Sequence, residues 1–219
     1  MQQRTRIKIC GITRIDDLQA SVQAGADAVG FVFYPDSPRC VTLDRAAELA
    51  SRLPPFVTPV ALFVNASSDL VQSVANAIPQ IVLQFHGDEG AEECRAAQRP
   101  YLRAARMAAG FDLLNFASQF PDAQALLLDA HVDGFGGGGK VFDWSLIPRN
   151  VPRPVVLSGG LHAGNVAAGI LQVRPLAVDV SSGVEVSKGI KDPLAIRRFC
   201  DAVRRADEQI AQAASNTPT

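Results

Sequence analysis

Short apolar runs recur along the chain: IKIC (7–10), AVGFVF (28–33), PVALFV (59–64), IVLQF (81–85), LRAARM (102–107), ALLLD (125–129), PVVLS (154–158) and LAVDV (176–180). Each is nearly continuously apolar, as expected of a strand covered on both faces. Between them lie stretches of helical periodicity over 16–24, 43–53, about 68–77, 89–98, 162–172 and 192–210. Gly25 stops the first, and Thr42 caps the second, which halts before Pro54-Pro55. Successive strand ends fall roughly 20–30 residues apart, about what one strand–helix unit needs in an eightfold barrel. Eight sequential units favour closure over a doubly wound open sheet. The pattern therefore predicts a single α/β domain, a (β/α)8 TIM barrel over 1–210, with a frayed polar tail at 211–219.

In such a barrel the chemistry sits where strands end and loops begin. Strand 7 runs into Ser158-Gly159-Gly160-Leu161, and strand 8 ends Asp179-Val180-Ser181-Ser182-Gly183. Bare glycine amides and hydroxyls on adjacent loops suit an anion, so Gly159, Gly160, Asp179, Ser181, Ser182 and Gly183 are assigned to a phosphate site. Strand 1 ends at Cys10, followed by Gly11. Cys10 is open to two readings, a buried apolar thiol or a reactive group at the barrel mouth. Asp129 closes strand 6 after three leucines. It is either a capping carboxylate or a functional one. Arg39, in the proline-stiffened YPDSPRCV loop, is a surface charge or a ligand contact. His86, after strand 4, is a satisfied structural histidine, a metal ligand or a peripheral substrate contact. His131 stands two residues past Asp129, but two groups do not make a metal site.

Composition narrows the classes. The net charge is −1 and 47% of the 219 residues are hydrophobic. No basic footprint for nucleic acid stands out, and no apolar run approaches a membrane span. The opening MQQRTRIKIC lacks the apolar core of a signal peptide. Four cysteines without a C-x-x-C pair read as free thiols of a reducing cytoplasm. Gly134 to Lys140 fits the G-x-x-x-x-G-K phosphate-loop pattern, but Val141 stands where Ser or Thr would hold magnesium, and Pro148 cuts short any following helix. That glycine run is expected to be a mobile loop rather than a nucleotide cradle.

KICGIT (8–13), GADAVGFVF (25–33), SPR (37–39), LFVN (62–65), QFHGDE (84–89), LLLD (126–129), GKVFDW (139–144), SGGLHAGNV (158–166), DVSSGVE (179–185) and KGIKD (188–192) together resemble the phosphoribosylanthranilate isomerases of tryptophan biosynthesis. The resemblance covers nearly the whole chain in order. It implies the same barrel, and an Amadori rearrangement with Cys10 as general base and Asp129 as general acid. It also implies Arg39 at the anthranilate end and the SGGL and DVSSGVE loops on the phosphate, and His86 is assigned beside them as a substrate contact. Departures are Gly138 where Ser or Thr is common, Phe85 for the usual Leu, which would change the bulk under the mouth, and Cys40 after SPR.

The chemistry suits these groups. A proton from Asp129 opens the furanose ring, the resulting iminium acidifies the neighbouring C–H, and Cys10 removes that proton. The iminium is the electron sink, so neither metal nor organic cofactor is expected. The glycine loop after strand 6 is expected to act as a lid. The partner is a small phosphosugar, with no nucleic acid or membrane, and the chain is a monomer or a homodimer. Three rivals remain. An aminoaldose isomerase of histidine biosynthesis would carry aspartate where Cys10 stands. A pentose-phosphate epimerase would need a metal, and a phosphosugar-binding protein would need neither Cys10 nor Asp129.

Overall fold

The computed structural model describes residues 4–130 and 141–215. The glycine run 134–139 and His131, with the lid expectation attached to them, lie outside the described residues.

Eight parallel strands close into a barrel in sequence order: β1 (Arg6–Cys10), β2 (Ala28–Val32), β3 (Thr58–Phe63), β4 (Val82–Phe85), β5 (Tyr101–Met107), β6 (Ala125–Ala130), β7 (Val155–Leu157) and β8 (Ala177–Val180). Closure is made by β1 on β8, where Lys8 stands opposite Asp179. Each strand lies within a residue or two of the run that predicts it. Helices α1 (Ile15–Gln23), α2 (Leu43–Ala50), α3 (Ser68–Ala77), α4 (Ala91–Ala96), α5 (Leu113–Gln119), α6 (Val166–Val173) and α7 (Pro193–Ser215) surround the barrel.

The period of two along a strand sorts the side chains into two layers. In β6, Leu126 and Leu128 join the main core between barrel and helices, whereas Ala125 and Leu127 join a small interior cluster with Ala104 and Val156. That cluster fills one end of the barrel. Toward the other end the inward positions turn polar: Lys8 and Cys10 on β1, Gln84 on β4 and His86 just past it, Asp129 on β6 and Asp179 on β8. The apolar layer holds the barrel shut, and the polar layer above it is where chemistry can occur.

Several expectations are corrected. Phe85 does not sit under the mouth. It points outward, 2% exposed, with its ring 5.9 Å from those of Phe63 and Tyr101. Its odd place in the alternation, between Gln84 and His86, dictates this. α5 is absent from the periodicity reading, although Asp112 caps it by accepting from Asn115 N at 3.0 Å. α6 begins at Val166 rather than 162, because Asn165 holds the preceding residues in a turn: its Oδ1 accepts from His162 N and its Nδ2 donates to Gly160 O. α7 continues through Ser215, so residues 211–215 are helical rather than frayed. The stretch AQAAS consists largely of good helix formers.

A two-stranded hairpin absent from the sequence reading, β9 (Glu185–Ser187) with β10 (Ile190–Lys191), follows β8 and sets Lys191 opposite Glu185. Its turn residue Gly189, at φ +81°, offers its carbonyl to Thr13 Oγ1 at 2.9 Å. The hairpin is thereby tied to the loop after β1.

Candidate active site

At the end of β1 two side chains of the same parity face inward. Lys8 Nζ donates to Asp179 Oδ1 at 2.8 Å, and both side chains are almost wholly buried. Burial alone would drive the Lys8 proton off, but the facing Asp179 carboxylate and the Cys10 sulfur outweigh it and hold the ammonium above its ordinary range. Cys10 lies next to this pair, 4% exposed. Burial pushes its thiol above the ordinary value, and Asp179 adds to the rise. The Lys8 and Lys191 ammonium groups pull the other way without cancelling it. Room for the sulfur comes from Gly30, opposite Cys10 in the β1–β2 register. A Cβ there would lie 2.7 Å from Cys10 Sγ.

Asp179 was expected at the phosphate. Its side chain instead accepts from Lys8 Nζ and, at 3.3 Å, from Ser158 Oγ. These contacts place the Asp179 carboxyl beside the Cys10 thiol.

Arg39 is brought to the same mouth. Its Nε and Nη2 donate to Glu185 Oε1 and Oε2 at 2.8 and 2.7 Å. This two-pronged pair, chiefly through its hydrogen bonds, raises the Arg39 pKa. Lys191 Nζ donates to the same Glu185 Oε1 at 2.8 Å and to Ser181 O at 3.1 Å. The Glu185 carboxyl is held below its ordinary value: burial acts against this, and Arg39 and Lys191 overcome it. The stem of Arg39 crosses Gly11, where any Cβ would overlap Arg39 Cδ and where φ is +78°. The glycine after Cys10 thus lets the arginine lie over strand 1.

Asp129, at the end of β6, has Oδ1 accepting from Ala130 N at 2.9 Å and Oδ2 at 3.2 Å from His86 Nε2. Gly159 packs directly upon it: a side chain there would come within 2.7 Å of Asp129 Oδ1 and 2.5 Å of Ala130 N. The other ring nitrogen of His86, Nδ1, pairs with Gln84 Nε2 at 3.3 Å. Both nitrogens of His86 therefore meet protein groups.

The two glycine loops touch. A Cβ on Gly183 would overlap Leu161 O and lie 3.1 Å from His162 Cβ. Gly159 and Gly160 hold φ of +80° and +62°, a region that disfavours side chains. Among the described residues no hydrogen bond engages the N–H of Gly160 or of Gly183. Ser181 is held by Lys191, with 3.3 Å from Nζ to Oγ, and Ser182 begins a short 3-10 turn through Val184. His162 stands apart, its exposed ring Nδ1 accepting from Gly164 N. Among the described residues no group of three or more His, Cys, Asp or Glu side chains is arranged to hold a metal, and no helix is long and apolar enough to cross a membrane.

Sequence reasoning missed Lys8, Glu185, Lys191, Gln84 and Asn165. Parity offered a signal for two of them: Lys8 and Gln84 stand two residues before Cys10 and His86, so each pair shares a face. Nothing in the pattern announced the hairpin that carries Glu185 and Lys191.

Comparison with known proteins agrees with this architecture. Residues 7–202 match the family model described as N-(5′-phosphoribosyl)anthranilate (PRA) isomerase. A protein of that name from Leptothrix cholodnii is 66% identical over 212 residues, covering 97% of this chain and 96% of the relative. One from Methylibium petroleiphilum is 67% identical over 208 residues, covering 95% and 98%. The crystal structure of phosphoribosyl anthranilate isomerase from Thermotoga maritima is 41% identical, covering 92% of this chain and 99% of that one, with a TM-score of 0.82. Another, solved in complex with reduced 1-(o-carboxyphenylamino)-1-deoxyribulose 5-phosphate, is 39% identical over the same shares, with a TM-score of 0.77. From its closed barrel to its matched residues, the chain belongs to the N-(5′-phosphoribosyl)anthranilate isomerase family.

Proposed function

We propose that this chain converts N-(5′-phosphoribosyl)anthranilate to 1-(2-carboxyphenylamino)-1-deoxyribulose 5-phosphate by general acid–base catalysis. One observation carries the reading. A buried thiol beside two ammonium groups and a carboxyl beside a histidine close strands β1 and β6 of one barrel, next to two joined glycine loops. The solved relative bound to a reduced form of that product supports the same substrate class.

Asp129 gives its proton to the furanose ring oxygen as the C1–O bond breaks, and the anthranilate nitrogen lone pair forms a C1=N iminium. The Cys10 thiolate then takes the C2 proton, and the C–H electron pair flows toward the iminium nitrogen to give an enolamine. Loss of the O2 proton and protonation of C1 yield the ketone, so atoms and electrons balance with no redox partner. Lys8 and Lys191 stabilise the thiolate charge. Their attraction offsets part of the burial cost, and the residual rise makes Cys10 a stronger base when ionised.

The backbone N–H groups of Gly160 and Gly183, with Gly159, Ser181 and Ser182, suit the phosphate as donors or as room for close approach. A guanidinium has five N–H donors. Glu185 takes two directions of the Arg39 fork, and the remaining donors suit the anthranilate carboxylate. The free-thiol cysteines are in keeping with a cytoplasmic enzyme. Incubating the purified chain with the substrate tests the reading. Stoichiometric appearance of the ribulose product is expected, and its absence with folded protein overturns it.

A further inference from the structure

Gln84 is wholly buried, yet it is no part of the apolar core. Its amide nitrogen lies 3.3 Å from His86 Nδ1, and His86 Nε2 lies 3.2 Å from Asp129 Oδ2. An amide N–H can only donate, so Nδ1 accepts and the neutral ring carries its proton on Nε2, aimed at Asp129. Gln84 Oε1 is buried with no partner among the described residues. Turning the amide over would put the NH2 group at that unpartnered place instead. Orphaned N–H groups are rarer in proteins than under-satisfied carbonyls, so the observed orientation is the favoured one. The backbone adds a constraint: His86 N donates to Phe63 O at 2.9 Å, fixing where the ring leaves the strand.

We propose that Gln84 is a positioning residue: by fixing the Nε2–H tautomer of His86, it aims that proton at Asp129 and steadies the general acid. The inference rests on the role given to Asp129 under Proposed function. When Asp129 releases its proton, negative charge grows on a carboxyl already holding Ala130 N–H at Oδ1. The His86 N–H is in reach of Oδ2 at that moment, and the contact shortens as the charge develops. Before transfer, a protonated carboxyl oxygen still has a lone pair for an N–H, so the arrangement is compatible with both states. The role assigned to Gln84 runs through its contact with the His86 ring.

The test uses the whole protein with 15N-labelled histidine. In the wild type, His86 should give a pyrrole-type signal at Nε2 and a pyridine-type signal at Nδ1. Gln84→Glu, nearly the same shape but with an acceptor toward the ring, should move the proton to Nδ1. Gln84→Leu should leave a mixture. Both variants should lower kcat about tenfold, the scale of one buried hydrogen bond, with KM changed by less than about twofold because phosphate and anthranilate contacts lie elsewhere. A wild-type ring protonated at Nδ1, or Gln84 variants with unchanged kcat, would overturn the proposal. Asp129→Asn is assayed in parallel: an inactive Asp129→Asn beside fully active Gln84 variants sinks this inference alone, and an active Asp129→Asn sinks the acid assignment beneath it.

Discussion

Lys8 Nζ and Asp179 Oδ1 stand 2.8 Å apart across the β1–β8 seam, and the Cys10 thiol shares their burial. The pair does two things at once. It joins the first strand to the last, and it sets the charge beside the Cys10 thiol.

That arrangement fixes a pH dependence. Burial raises the Cys10 pKa, with Asp179 adding to it and Lys8 opposing it. In the proposed mechanism the active form is the thiolate, so a raised pKa moves the rising limb of kcat/KM in the free enzyme to higher pH. It should lie above the ordinary thiol value of about 8.5. Alkylation by iodoacetamide, followed on the peptide carrying Cys10 to separate it from exposed Cys40, should show the same limb. Lys8→Met should move it further up, and Asp179→Asn should move it down. A limb that ignores both changes means the thiol does not feel this pair.

Removing the acid or the base should each cost at least about 10²-fold in kcat, the low end for general acid–base catalysis. Cys10→Ser and Asp129→Asn keep the shape of the side chains. Calorimetric binding of a reduced product analogue should survive in both, because the phosphate loops and Arg39 belong to other strands. If either variant turns over at the wild-type rate, that residue is structural.

Gly183 sits against the Leu161 carbonyl with no space for a methyl group. Gly183→Ala should push the β7 and β8 loops apart and weaken competition by inorganic phosphate about tenfold or more, as expected when a hydrogen bond to a charged ligand is lost. Unaltered phosphate inhibition would move the anion site away from this junction.

Because the iminium serves as electron sink, activity should persist through EDTA treatment and dialysis into metal-free buffer. Activity that vanishes and returns only with a divalent ion would require a different mechanism.

The strands were legible because each is a buried run of one chemical kind, flanked by turns and helices. Cys10, Asp129 and the glycine loops were legible because a barrel exposes what lies at strand ends. What stayed hidden depended on partners distant in sequence. Glu185 reads as an ordinary surface acid until the hairpin folds it under Arg39 and Lys191. Asp179 reads as a phosphate-loop residue until its registry with Lys8, 171 positions away, is known. The placement of His86 between Gln84 and Asp129 stayed hidden because a sequence cannot say which way its two nitrogens point.

The seam between β1 and β8 carries a lesson about synthesis. Thr5 N and Oγ1 bond the Asp207 carboxylate at 2.9 and 2.7 Å, across 202 residues, beside the Lys8–Asp179 contact. During translation the outer edge of the first strand has no mate until the eighth has emerged, and the clamp on Asp207 waits longer still. The contact between the Lys8 ammonium and Asp179 therefore cannot form before the eighth strand has been made. A chain that ends before β8 carries Cys10, Asp129 and Arg39 but not the Asp179 that Lys8 meets, so the surroundings of the thiol are completed only by the last strand of the ring.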